Sequence, residues 1–213
     1  MTFHKEFKEA LSHLSSVEKD KLILRLLKKD LMLANRLAFE LLDNGSVDDR
    51  RADLEIALKN EIEYRATFVT TPGYLMMDLR DMSGRITEHL KITKDKFGEV
   101  SLNLLMLVEC LKIHNKKIEE YTPGKSRKLS VYIIARAFKI LILICKMHED
   151  TFMEFEDDLK KLGTLISDNK YLMRAATFNR FDVNWLLNAD IPEDIEAFHK
   201  EIRANGYLKS NSF

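Results

Sequence analysis

Few residues in this chain carry a pattern that chemistry could use. Gly124-Lys125-Ser126 has the ending of a phosphate-binding P-loop. That motif needs a second glycine five positions earlier, so that backbone N–H groups wrap the phosphates, and a strand before it. Position 119 is a glutamate and no strand precedes it, so the triplet reads as a helix start. A helical di-metal site needs two Glu-x-x-His motifs and two further inward glutamates. The chain holds one, Glu196-Ala197-Phe198-His199, on a charged terminal segment. No metal and no cofactor are therefore expected, and a helical-bundle metalloenzyme is the remotest reading. Cys110 and Cys145 both fall in apolar helical runs. Apolar surroundings raise a thiol pKa and make it inert, so both are expected in the core. There is no Gly-x-Ser-x-Gly nucleophile elbow.

Charge is more informative. The chain has 213 residues, with 34 Lys+Arg against 34 Asp+Glu. The zero balance excludes a globally basic nucleic-acid protein and hides opposed blocks. Residues 112–139 hold eight basic and two acidic side chains, a local charge of +6. Residues 149–158 hold six acids and no base. Helical spacing puts Lys125, Lys128, Tyr132, Arg136, Lys139 and Lys146 near one face of a single helix. Such a stripe suits an acidic protein surface or backbone phosphates, with Tyr132 available to stack on a base. It also suits a solvated helix face ion-paired with the acidic block. Phe178, Phe181 and Trp185, at i, i+3, i+7, form the densest aromatic group. They read either as an anchor for a partner or as a seal over the core.

The elements that position these residues are helical throughout. With 7 Gly and 3 Pro, the chain lacks the turn residues of an all-β fold. Phe3 to Leu14 forms a first helix, Ser16 caps a second and Asp30 a third, closed by Asn44-Gly45. Ser46 starts a fourth. Thr71-Pro72 opens a fifth, with the proline at the first helical position, and Gly84 is expected to allow a close crossing there. Thr93 is expected to cap the next. Two segments, Leu102 to Leu111 and Val131 to Cys145, are apolar around most of the helix and must be buried on most sides. They mark two central helices at about 94–120 and 126–147. Shorter helices follow, the last from Asp190-Ile191-Pro192, with the end fraying from Leu208.

These observations predict an all-α fold of about ten helices in one domain, residues 1–213. Two layouts remain open, an orthogonal bundle and a short α-solenoid. Thr71-Pro72-Gly73 and Thr122-Pro123-Gly124 recur 51 residues apart, and Leu26 to Leu42 resembles one hairpin of the HEAT-type α-repeats with Asp30 at its turn. The opening residues lack the apolar core of a signal peptide. The longest apolar run, Ile140 to Cys145, is far short of the roughly 20 residues that span a bilayer. A cytoplasmic protein without membrane attachment is expected. Its first functional reading is a non-enzymatic helical interaction protein that binds a protein partner, or itself as a homodimer, through charge-segregated surfaces. Lys125, Lys128, Tyr132, Arg136 and Lys139 would be the contact stripe. Nucleic-acid binding by the same stripe is the alternative.

Overall fold

The computed structural model describes residues 3–42, 45–68 and 71–209. Among them the chain is all helical: α1 Lys5–Ser12, α2 Ser16–Leu27, α3 Leu31–Leu42, α4 Val47–Ala66, α5 Pro72–Thr93, α6 Lys96–Glu120, α7 Pro123–Ile144, α8 Glu149–Phe152, a 3-10 turn Met153–Phe155, α9 Glu156–Ser167, α10 Lys170–Phe178, α11 Asn184–Leu187 and α12 Ile195–Ala204. Among the described residues no helix is long and apolar enough to cross a membrane.

The helix starts follow capping chemistry. Ser15, one residue before the expected Ser16, caps α2 in a reciprocal box with Glu18, and Ser46 does the same with Asp49 for α4. Asp30 Oδ1 accepts the Leu33 N–H at the start of α3. Thr71 caps α5 ahead of Pro72. Asn44, expected to close α3, lies outside the described residues. Thr93 does not cap α6: it is the last residue of α5, and Asp95 is the cap.

The two apolar segments form the middle of the molecule. α6 packs against α4, α5, α7 and α9, and α7 packs against α5, α6, α10 and α12. The contacts run α3–α5–α7–α10 and α4–α6–α9–α11, with α5–α6 and α6–α7 joining the two rows, an arrangement common to an all-α bundle and to stacked helix pairs. Leu104, Met106 and Leu107 of α6 and Ile133, Ile134 and Phe138 of α7 are fully buried. Phe138 meets the rings of Phe181 at 4.7 Å and Trp185 at 6.0 Å. Leu208, expected to fray, is buried, and its N–H donates to Asn179 Oδ1 at 2.7 Å. Asn179 is itself fully buried and would be left unsatisfied if that end came loose.

The outer helices are held differently. α1, α2 and α3 contain no buried residue. α3 rests on α5, and Leu24, Leu26, Leu31 and Leu33 stay exposed. Arg65 of α4 reaches Asp78 and Asp81 of α5, and Arg85 of α5 reaches back to Glu61.

The close approach expected at Gly84 occurs at another glycine. A Cβ built at Gly84 meets nothing within 4 Å. A Cβ at Gly163 of α9 would lie 2.9 Å from Leu187 Cδ2 and 3.0 Å from Leu186 Cβ of α11. Leu186 is fully buried and has nowhere to retreat. Gly163→Ala is therefore expected to destabilise the fold by about 1–3 kcal/mol. Gly84→Ala, which only improves helix propensity, should stabilise it by up to about 1 kcal/mol. Chemical denaturation of the two variants checks the pair, and a destabilising Gly84→Ala would contradict this packing.

Candidate functional site

The charged face of the molecule is organised by one buried carboxylate. Asp95 sits in the turn between α5 and α6 with its side chain 4% exposed. Its Oδ2 accepts from Arg51 Nε of α4 at 2.6 Å and lies 3.2 Å from His89 Nε2 of α5. Its Oδ1 accepts the Gly98 N–H of α6 at 2.8 Å. Burial by itself raises the carboxyl pKa. The hydrogen bonds from His89, Arg51 and Gly98, with the Arg51 charge, overcome that and bring it down to about 2. Gly98 is required beneath it, since a Cβ there would lie 2.1 Å from Oδ2. The Arg51 guanidinium also covers the Phe97 ring at 4.7 Å, and Phe97 packs on Phe155 at 4.9 Å. Three helices and the 3-10 turn are thus tied at one corner.

That corner fixes the residue before it. Lys94 ends α5 with φ 62 and ψ 20, the left-handed conformation that favours glycine. The turn sends α6 back antiparallel to α5, and α7 then returns parallel to α5. Tyr132 OH of α7 donates to the Leu79 carbonyl of α5 at 3.4 Å, and eleven residues on, along both helices, Leu143 faces Leu90 across a common cavity. The two parallel helices leave a groove between them about 17 Å long, at 1.5 Å rise per residue.

The groove has two hollows that share Lys91. One, of about 440 Å³, is lined by Arg80, Gly84, Glu88, Lys91 and Arg136, with Met32 of α3 at its rim. The other, of about 350 Å³, is lined by Lys91, Lys94, Lys96, Lys146 and Glu99 over an apolar floor of Leu90, Leu143 and Met147. Gly84 is floor rather than crossing point: its missing side chain leaves the first hollow open.

The residues singled out from the sequence fall in separate places. Lys125 and Lys128 are exposed in the first turns of α7. Tyr132 is half-buried, its ring beside the guanidinium groups of Arg80 and Arg136 at 5.6 and 5.4 Å. Its hydroxyl also accepts from Arg136 Nε at 3.1 Å. That ring is occupied on the protein side and is not a free stacking platform. Lys139 pairs with Glu99 at 2.7 Å and Lys146 with Glu196 at 2.8 Å. The carboxylates facing the α7 stripe thus come from α6 and α12. In the acidic block, Glu156 and Asp158 pair with Lys160 and Lys161 of their own helix.

Phe178, Phe181 and Trp185 do not share a helix face. α10 ends at Phe178, and Arg180 turns left-handed with φ 57. Phe181 is then buried, Trp185 half-buried against Phe138, and Phe178 packs on Tyr207 at 5.9 Å. Cys110 is buried, its thiol pushed up to about 12 by burial. Cys145, expected in the core, is exposed, because α7 ends at the residue before it. Glu196 bridges Lys146 and Lys200 rather than facing inward, and His199 lies against the Phe138 ring at 5.3 Å. Among the described residues no group of three His, Cys, Asp or Glu side chains is placed to hold a metal ion.

Sequence reasoning missed Arg80, Lys91, Lys94 and Lys96. Arg80, Gly84, Thr87 and Lys91 do recur at spacings of four, three and four, the polar face of α5, so the signal was present. Its pairing with the α7 stripe depends on the fold. Comparison with known proteins gives no matching family model, no matching curated protein and no matching solved structure, so the chemistry of the groove rests on its own residues.

Because the Asp95 pKa is depressed in the folded state, its contribution, on the order of 2 kcal/mol, is present above the unfolded value and lost as pH falls. Asp95→Asn should cost about that much near neutrality, and the difference should vanish as pH drops from about 5 to about 2. Urea denaturation across that range measures it; a pH-independent difference would contradict the assignment.

Proposed function

We propose that this chain is a non-enzymatic helical interaction protein that docks an acidic, partly apolar protein segment along the α5–α7 groove. The observation that carries this reading is the groove itself: Arg80, Lys91, Lys94, Lys96 and Arg136 rim a channel whose floor is Leu90, Leu143 and the bare backbone of Gly84. Opposed charge across such a surface steers encounter and sets register. The apolar floor supplies contact area that a phosphate backbone cannot use. Exposed leucines on α3, which packs on α5 and puts Met32 at the rim, favour a protein partner for the same reason.

Lys94 adds a separate argument. An L-residue in the left-handed region costs about 1 kcal/mol relative to glycine. Keeping a lysine there places an ammonium on the wall of the second hollow, and strain of this kind concentrates at working positions. On a second copy, Asp150, Met153, Glu154 and Asp157 are the exposed part of segment 149–158 and have the required chemistry, which makes self-association one form of the same docking. The acidic side of the chain would then serve a homodimer.

A fluorescent peptide of residues 149–158 is the probe. Binding followed by anisotropy should weaken at least about tenfold in Lys91→Glu/Lys94→Glu. Lys94→Gly should raise stability by about 1 kcal/mol while lowering affinity, moving the two readouts in opposite directions. Unchanged peptide binding in both variants would overturn the reading. A single-stranded oligonucleotide that binds more tightly than the peptide, with log affinity falling steeply in log salt, would replace it with phosphate-backbone binding.

A further inference from the structure

α4 stands at the end of its row of helices and carries two apolar faces. Its inner stripe, Leu54, Leu58 and Ile62, packs into the core beside α6. A second series lies on the far side. Ile56, Asn60, Tyr64 and Phe68 recur every four residues, and Ile56, Tyr64 and Phe68 are 57%, 67% and 64% exposed. At 3.6 residues per turn this series is rotated by roughly 140° from the inner stripe. Single exposed apolar residues are ordinary. A row at helical spacing, opposite a face already buried, makes the helix apolar on two sides, and such a helix is covered on both.

The face continues onto α5. Tyr74 and Met77, each 60% exposed, stand one turn before Asp78 and Asp81, the residues that reach Arg65 of α4. They therefore flank the end of α4, where the Tyr64 and Phe68 rings meet edge-on at 5.2 Å. These five side chains offer roughly 600 Å² of apolar surface. With the polar residues between them, the face comes to about the 800 Å² that each partner gives to a standard interface. Tyr, Phe and Met are the side chains enriched in such interfaces.

We propose that this face binds a second copy of the chain, with the two α4 helices antiparallel across a twofold axis at Asn60. The series is symmetric about that residue: Ile56 lies four positions before it and Tyr64 four after. Reversing the helix sets each Ile56 against the partner's Tyr64, so the same patch is its own complement. The two Asn60 amides meet at the axis, where each donates to and accepts from the other. A lone asparagine in an apolar seam fixes register. Charge agrees with this arrangement. Lys59 pairs with Glu55 at 2.6 Å, and Glu63 is exposed on the same edge of the face. The twofold brings Glu63 beside the partner's Lys59, and Lys59 beside the partner's Glu63. No groove residue takes part, so the contact is independent of the docking reading.

Sedimentation velocity of the intact chain over about 1–300 µM tests the proposal, and a dimer dissociating in the micromolar range is expected. Tyr64→Glu, at an exposed position, should weaken it at least about thirtyfold at an unchanged melting temperature. Glu63→Lys should weaken it about fivefold, and Lys59→Glu/Glu63→Lys should restore it. Lys91→Glu/Lys94→Glu should leave it unaltered. In a Cys145→Ser background, Asn60→Cys should give a covalent dimer under oxidised glutathione, because equal positions face each other only at the axis, and Ala52→Cys should not. A chain that stays monomeric throughout, or a dimer untouched by Tyr64→Glu, would overturn the proposal. Equal cross-linking from both cysteine positions would overturn the antiparallel register. A dimer lost in Lys91→Glu/Lys94→Glu and kept in Tyr64→Glu would move self-association to the groove.

Discussion

A carboxylate out of contact with water is costly unless every lone pair finds a donor. Asp95 meets that requirement with donors from three helices: Arg51 from α4, through both Nε and Nη2, His89 from α5 and Gly98 from α6. The geometry leaves no slack, since the carboxylate covers Gly98 too closely for any side chain there. Removing one partner would strand the others, so the corner forms as a unit or not at all. Everything on the charged face is measured from it. It reverses the chain after α5, holds Lys94 left-handed, and sets the antiparallel α6 that brings α7 back beside α5.

The groove is then a consequence of what fills the interior. α6 and α7 bury almost every apolar side chain they carry, and the polar remainder of α7 is forced to one side. There it meets the polar face of α5. Glu99 and Glu196 neutralise Lys139 and Lys146 and pin them. Such half-exposed pairs contribute little stability and a good deal of orientation. The cations left along the rim face water, over a floor kept open by Gly84. A chain with zero net charge thereby gathers cations along one rim.

Much of this was readable before any coordinates. Periodicity alone placed α6 and α7 at the centre, because helices without a polar stripe have nowhere else to go. Ser46, Thr71 and Asp30 were recognisable as caps because a capping side chain acts on residues three positions away. What failed to show needed a partner farther along the chain. Thr93 was read as the cap of α6 because nothing local ties Asp95 to Arg51, 44 residues earlier. Gly84 and Gly163 look alike in sequence; only the position of α11 makes one an opening and the other a tight contact. Cys145 looked buried because its neighbours are apolar, yet α7 ends just before it. The basic stripe was visible on α7, but its other half belongs to α5, and no local spacing pairs the two helices.

The most direct test of the docking groove fills it without changing charge, core or caps. Gly84→Leu projects an apolar side chain into the hollow beneath Arg80, Lys91 and Arg136, from a position with nothing within 4 Å. If the acidic segment lies on that floor, affinity for the peptide of residues 149–158 should fall by about tenfold or more while the melting temperature holds or rises. Peptide affinity equal to that of the parent chain, in a variant of undiminished stability, would mean that the groove is not where the partner binds.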